Sequence, residues 1–200
     1  MRRLMVLVLV CVFLILPAHG QKSFEIALKQ NSRTEQQTRD QLERLLRTYD
    51  ISQWIFTRSV LIDDTATPHS HPVLTLSTRH TKDDELLLST FVHEQFHWWT
   101  SGANLEATRR AIDELRGMFP KVPIGAPEGA SDENSSYLHV VVCYLEYRAM
   151  RELLGEFKSR QIMEFWADDH YTWIYRTVLD KPRDISTVLF KHGLLPIRQP

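Results

Sequence analysis

The sequence predicts an α+β fold in which a small antiparallel sheet near the N-terminus precedes a mainly helical remainder. Two short segments rich in β-branched and aromatic residues, 54–62 and 73–79, are typical of strands. Beyond residue 81, apolar side chains recur every three or four residues, which is the spacing of helices. Hydrophobic residues make up 43% of the chain and charged residues 24%, as in folded globular proteins. A net charge of −1 provides no broad basic surface for nucleic acid.

The first 20 residues have the pattern of a cleaved export signal. Arg2 and Arg3 precede the apolar run 4–16, and Ala18 and Gly20 match the small residues that come before a cleavage site. The run is shorter than the roughly 20 apolar residues that span a bilayer, so an uncleaved anchor is the less favoured interpretation. We therefore expect cleavage after Gly20 and a secreted or periplasmic protein.

The mature chain 21–200 is expected to fold as one domain. Its length is within the range of single domains, and no internal repeat or low-complexity segment divides it. Cys143 is its only cysteine, so no disulfide forms within it and the core must hold the fold together. No second apolar run is long enough to cross a membrane, so we expect no stable membrane span after signal cleavage.

The first predicted helix covers 34–49, where Leu42 and Leu45 fall at helical spacing in a charged segment. The strands 54–62 and 73–79 follow, joined by a polar loop that contains two prolines. Two strands that are adjacent in the chain and joined by one loop can pair antiparallel, and this is the pairing we predict.

The next predicted helix begins after an N-cap at Thr81 and extends to about Thr100. The acidic residues of its first turn suit the positive end of a helix. Apolar side chains cover nearly every side of it, and a helix of that kind is buried. Beyond it, the pattern predicts an amphipathic helix over 105–119 and a loop over 120–131. A long helix is predicted over 136–154, and two or three shorter helices over 161–195.

The buried helix contains the motif H-E-x-x-H, formed by His93, Glu94 and His97. Histidines four residues apart lie on one helical face, so both imidazoles can reach a single ion. Zinc accepts such nitrogen ligands and keeps a position for water, whose pKa it lowers toward about 7. Glu94, offset by one residue, is placed to take the proton of that water. The sequence therefore predicts a zinc site in which Glu94 is catalytic.

The segment Thr90–Trp99 resembles the active-site helix of the zincin metallopeptidases, and the strand Val73–Arg79 resembles the edge strand that lies beside the substrate backbone in that fold. The resemblance implies a zincin-like fold, a zinc cofactor and a peptide or protein substrate. It covers the motif helix well and residues 73–150 in outline, and it is gluzincin-like without identifying a particular family.

The resemblance also implies a third ligand outside the motif. Metzincins continue with a glycine and a third histidine, but those positions are Thr100 and Ala103 here. Peptide deformylases use an upstream cysteine, and the mature chain has none there. Gluzincins take a glutamate from a later helix. That comparison favours Glu146, which is followed by Ala149 as in one form of the gluzincin motif.

Within the predicted helix 136–154, His139, Cys143 and Glu146 share one face. Glu146 is the expected third ligand, because a carboxylate in that apolar stretch needs a partner. His139 is the alternative third ligand. Cys143 is interpreted as a small buried apolar residue. Met150 stands where the commoner gluzincin motif has an aspartate, so the usual carboxylate partner of a ligand histidine is not provided there.

A peptidase must also stabilise the negative charge that develops on the substrate carbonyl oxygen. The resemblance implies a tyrosine or histidine that follows the third ligand in the chain. His170, Tyr171 and Tyr175 are available, and we take His170 and Tyr171 as the candidate catalytic residues. The alternative is that these aromatic residues belong to the core of an amphipathic helix.

These observations predict a secreted or periplasmic zinc metallopeptidase that hydrolyses peptide bonds and binds no nucleic acid. The alternative is a non-catalytic module on a zincin scaffold that binds a peptide or protein and has a structural or vestigial metal site. The presence of Glu94 favours the enzyme, because a purely structural zinc site does not need that carboxylate.

Overall fold

The computed structural model describes residues 23–196, and the predicted export signal, residues 1–20, lies outside the described residues. The fold class is α+β with a helical majority, as predicted. In chain order the strands and helices are β1 (Glu25–Leu28), α1 (Arg33–Thr48), β2 (Ser59–Ile62), β3 (Leu74–Leu76), α2 (Asp84–Trp99), α3 (Leu105–Met118), α4 (Glu133–Leu154), α5 (Glu156–Asp169), α6 (Thr172–Asp180) and α7 (Pro182–Lys191).

The predicted antiparallel sheet is wrong, because the three described strands are parallel in the order β1-β2-β3. Ile26 lies opposite Val60, and Val60 lies opposite Leu74. Parallel neighbours need a crossover connection. Helix α1 provides it between β1 and β2, and the long loop after β2 returns the chain before β3 begins. The sequence pattern did not predict β1, so the crossover through α1 was not predicted either.

Helix α1 begins with a capping box, in which the side chains of Ser32 and Glu35 each accept a bond from the other's backbone amide. Glu35 is fully buried. Its carboxylate also accepts from the backbone amides of Gln30 at 2.9 Å and Asp64 at 3.3 Å. One buried carboxylate thus fastens the β1–α1 turn to the loop that follows β2.

Helix α2 is buried along most of its length, as its all-round apolar sequence predicted. Its N-cap is Asp83 rather than Thr81, because the Asp83 carboxylate accepts from the Leu86 amide at 3.0 Å. The fully buried Gln95 joins the helix to the chain before β2. Its amide oxygen accepts from the backbone of Phe56 at 2.7 Å and Thr57 at 2.9 Å, and its amide nitrogen donates to Thr57 O at 2.8 Å.

The later helices agree with the predicted pattern in number and order. Helix α4 ends at Gly155, whose φ of 83° is in the region that glycine adopts without strain, and α5 starts directly afterwards. A continuous hydrophobic core contains residues from Leu42 of α1 to Leu189 of α7. None of the helices within residues 23–196 has both the length and the apolarity to cross a membrane.

We expect Gln95→Leu to lower the free energy of unfolding by about 2–4 kcal/mol. Leucine has a similar volume but leaves the half-buried amides of Phe56 and Thr57 and the carbonyl of Thr57 without a partner. Urea unfolding measures the change. Gln36→Leu is the matched control, because Gln36 is exposed and should change stability by less than about 1 kcal/mol. Equal effects of the two substitutions would contradict the anchoring role of Gln95.

Candidate metal centre

Three histidines from two helices meet at one place in the core. Helix α2 provides His93 and His97, and α4 provides His139. Their ligand atoms lie within 4.8 Å of one another, and the Nε2 atoms of His93 and His97 are 3.3 Å apart. The ring centroid of His139 is 5.0 Å from that of His97 and 5.8 Å from that of His93. The structure thus places the alternative third ligand, His139, together with both histidines of the motif.

The hydrogen bond made by His139 leaves its Nε2 atom free to bind an ion. Its Nδ1 is 2.7 Å from the carbonyl oxygen of Ser135, and because a carbonyl only accepts, Nδ1 must donate. In a neutral ring, Nε2 then carries the free lone pair. Burial lowers the pKa of His139 to about 4, and burial also lowers the pKa of His97 well below its usual value. Both rings are therefore neutral at pH 7, which is the form that binds a metal.

The predicted third ligand, Glu146, contacts Nδ1 of His93, whereas Nε2 of His93 is the atom near His97. Its Oε2 atom accepts from His93 Nδ1 at 2.9 Å and from the Tyr175 hydroxyl at 3.0 Å, and its Oε1 atom accepts from the Ser89 hydroxyl. Glu146 is fully buried, and these three hydrogen-bond donors stabilise its carboxylate. Carboxylates in this position orient a ligand histidine and fix its tautomer. The structure therefore places Glu146 as a hydrogen-bond partner of His93.

A second grouping with metal-ligating atoms contains His93, Cys143 and Glu146, again within 4.8 Å of one another. It lies on the inner, Nδ1 side of His93. Burial opposes protonation of His93, but the neighbouring Cys143 and Glu146 raise its pKa well above the usual value. Cys143 is fully buried, as predicted, and its position beside His93 was not foreseen. The two groupings share His93, but only the first contains both histidines of the motif.

Ser89, Trp166 and Tyr175 complete the surroundings of Glu146. Sequence reasoning missed Ser89 and Trp166, and it considered Tyr175 only as a candidate for stabilising the oxyanion. The Trp166 indole donates to Ser89 Oγ at 3.0 Å, and Ser89 in turn donates to Glu146. Ser89 lies one helical turn before His93 in an otherwise apolar run, and this was the signal that could have identified it. Trp166 gave no such signal, because aromatic residues on amphipathic helices are usually core.

Glu94 lines a cavity of about 570 Å³ next to the three histidines. Glu94 is only 6% exposed, and burial raises the pKa of its carboxyl group to about 7. Among residues 23–196, none forms a hydrogen bond with this carboxylate. A buried carboxyl group without a protein partner, facing a cavity, is arranged to exchange a proton with a bound molecule.

The other two predicted catalytic residues, His170 and Tyr171, also line this cavity. Nδ1 of His170 is 2.9 Å from the Asp169 carboxylate, which is held by two bonds from Arg79, at 2.9 and 2.5 Å. Tyr171 has a left-handed backbone with φ of 50°, and its ring lies 4.4 Å from that of His139. Tyr175, by contrast, uses its hydroxyl group to hold Glu146.

Comparison of the chain with models of protein families, with curated proteins and with solved structures gives no match in any of the three. The geometry of the centre is therefore the basis for assigning a function.

We expect His139→Ala to abolish stoichiometric metal binding and Glu146→Gln to retain it with an affinity lowered about 10- to 100-fold. Alanine removes a ligand nitrogen, whereas glutamine still accepts a bond from His93 Nδ1. Equilibrium titration with zinc, followed by competition with a chelator, measures both affinities. Loss of metal from Glu146→Gln but not from His139→Ala would identify Glu146 as the ligand, as the sequence predicted.

Proposed function

We propose that this protein is a zinc-dependent metallopeptidase in which His93, His97 and His139 hold the metal and Glu94 acts as general base. The observation that carries the proposal is the pairing of a three-histidine cluster with a buried carboxylate that has no protein partner and lines the same cavity. A purely structural metal site has no use for such a carboxylate. The proposal includes export from the cytoplasm, which is supported by the sequence of residues 1–20.

Zinc fits the donor set. Two nitrogens bound to zinc at about 2.0–2.1 Å with a tetrahedral angle lie about 3.3–3.4 Å apart. The Nε2 atoms of His93 and His97 are 3.3 Å apart. Three protein ligands are also typical of catalytic zinc sites, which keep the remaining position for water. Glu146 and the Ser135 carbonyl fix the tautomers of two of the three rings, as outer partners of zinc histidines do.

When bound, zinc supplies a Lewis acid and lowers the pKa of water to near neutrality. The carboxylate of Glu94 removes the proton from the attacking water and delivers it to the nitrogen of the leaving amine. Burial raises the pKa of Glu94, which favours a carboxylate that accepts a proton and then returns it.

Tyr171 is the better candidate of the two for stabilising the oxyanion. Burial raises the pKa of its hydroxyl group, so the hydroxyl stays protonated and can donate a hydrogen bond. His170 directs Nδ1 to Asp169, and burial lowers its pKa. In the neutral ring the remaining nitrogen accepts rather than donates, so we assign the donor role to Tyr171.

We expect Glu94→Gln to retain zinc and to lower kcat for peptide hydrolysis by about 10²- to 10⁴-fold. Glutamine preserves the shape of the side chain but cannot accept the proton. Metal analysis and steady-state kinetics on the same preparation measure the two effects. Glu85→Gln is the control, because it removes the same charge from α2. The Glu85 side chain pairs with Lys158 and does not line the cavity. An unchanged kcat in Glu94→Gln would refute the proposed mechanism.

We expect Tyr171→Phe to lower kcat by about 10²-fold with little change in KM or zinc affinity, because the hydroxyl acts only on the developing charge. Tyr175→Phe removes the same group from the neighbouring helix, where it bonds to Glu146. That control should weaken zinc binding more than it lowers the kcat of the zinc-loaded protein. Identical kinetic effects of the two substitutions would argue against a separate role for Tyr171.

A further inference from the structure

The outer edge of β3 is already paired with another part of the same chain. Toward β2, the Asp63 amide donates to Leu76 O at 3.0 Å. The backbone N–H and C=O groups of Thr75 point to the side of β3 that faces away from β2. Its amide donates to His69 O at 2.7 Å, and its carbonyl accepts from the His69 amide at 3.1 Å. The zincin resemblance implies that this edge lies beside the substrate backbone, but here His69 occupies it in antiparallel pairing.

The segment that covers the edge, Thr67–Ser70, is also one wall of the cavity, and we refer to it as the wall segment. It is fastened to the helix that carries the motif. The Trp98 indole donates to Ser70 O at 2.8 Å, and the His71 ring stacks on Trp98 with 4.3 Å between centroids. These contacts, together with the His69–Thr75 pair, tie the wall segment to both β3 and α2.

A second wall of the cavity, formed by His170 and Tyr171, is held as well. The amide of Thr172 donates to Pro127 O at 3.0 Å, and that of Trp173 donates to Glu128 O at 3.3 Å. These bonds join the start of α6 to the loop before α4. The cavity between the two walls, about 570 Å³, is in the range of pockets that enclose one small ligand.

We infer that the wall segment restricts this site to short peptides of up to about four residues. The inference deepens the proposed peptidase function and depends on it. A longer peptide in extended conformation binds by adding a strand to a sheet edge, and the edge beside this cavity is that of β3. To reach this edge, the peptide must displace the two His69–Thr75 bonds and the Trp98–Ser70 bond. Loss of three such bonds lowers kcat/KM by roughly a hundredfold. A short peptide fits between the walls and meets no such penalty.

The test compares hydrolysis of mixed-sequence peptide pools of two to four residues with pools of eight to twelve residues, by mass spectrometry on the zinc-loaded protein. We expect kcat/KM to be at least about tenfold higher for the short pools. Trp98→Phe keeps a ring against His71 but removes the bond to Ser70, so it should raise long-peptide hydrolysis relative to short by about fivefold. Trp99→Phe is the matched control, because its indole makes a bond of equal length, 2.8 Å, to Leu194 O instead.

Hydrogen exchange of the Thr75 amide tests the wall segment without reference to activity. The amide should be protected in the parent protein, exchange faster in Trp98→Phe and remain protected in Trp99→Phe. Equal hydrolysis of short and long pools, or rapid exchange of Thr75 in the parent, would overturn the restriction while leaving the peptidase proposal intact. No hydrolysis of any pool by the zinc-loaded protein would refute the peptidase proposal and the restriction with it.

Discussion

The buried carboxylate of Glu146 is the interaction around which this protein is organised. A charge at zero exposure is strongly unfavourable unless it is hydrogen-bonded. Here it receives bonds from Ser89 and His93 of α2 and from Tyr175 of α6. Those donors must be held at fixed positions, so the carboxylate determines how α2, α4 and α6 pack together. Trp166 of α5 joins the same network through Ser89.

This network has a direct chemical consequence for the metal centre. By holding His93 Nδ1 as a donor, Glu146 directs the other nitrogen of that ring toward His97 and His139. Burial keeps those two rings neutral, since it lowers the pKa of each. The same burial acts in the opposite sense on Glu94, because desolvation of a carboxylate raises its pKa. The same burial thus keeps His97 and His139 neutral and raises the pKa of the proposed base, Glu94.

The sheet and its loops decide how the centre is approached. Because β2 and β3 are parallel, the chain must return between them, and here the returning connection pairs with the outer edge of β3 through His69 and Thr75. That connection supplies the wall segment. An antiparallel pair joined by a simple hairpin would have left the outer edge of β3 open. The sheet topology and the proposed limit on substrate length therefore have the same origin. The wall segment is fastened by backbone groups, which depend little on the identities of its side chains.

By itself the sequence determined the class of fold, most of the helices and the motif residues His93, Glu94 and His97. Each of these follows from local spacing, because side chains three and four residues apart share one helical face. Only the tertiary structure decided the strand direction, the position of His139 beside the two motif histidines and the hydrogen bond from His93 to Glu146. His139 and Glu146 lie on one face of α4, so spacing alone allows either to reach the metal. The choice between them depends on how far α4 is shifted along α2, which is set by the packing of side chains that are distant in the chain.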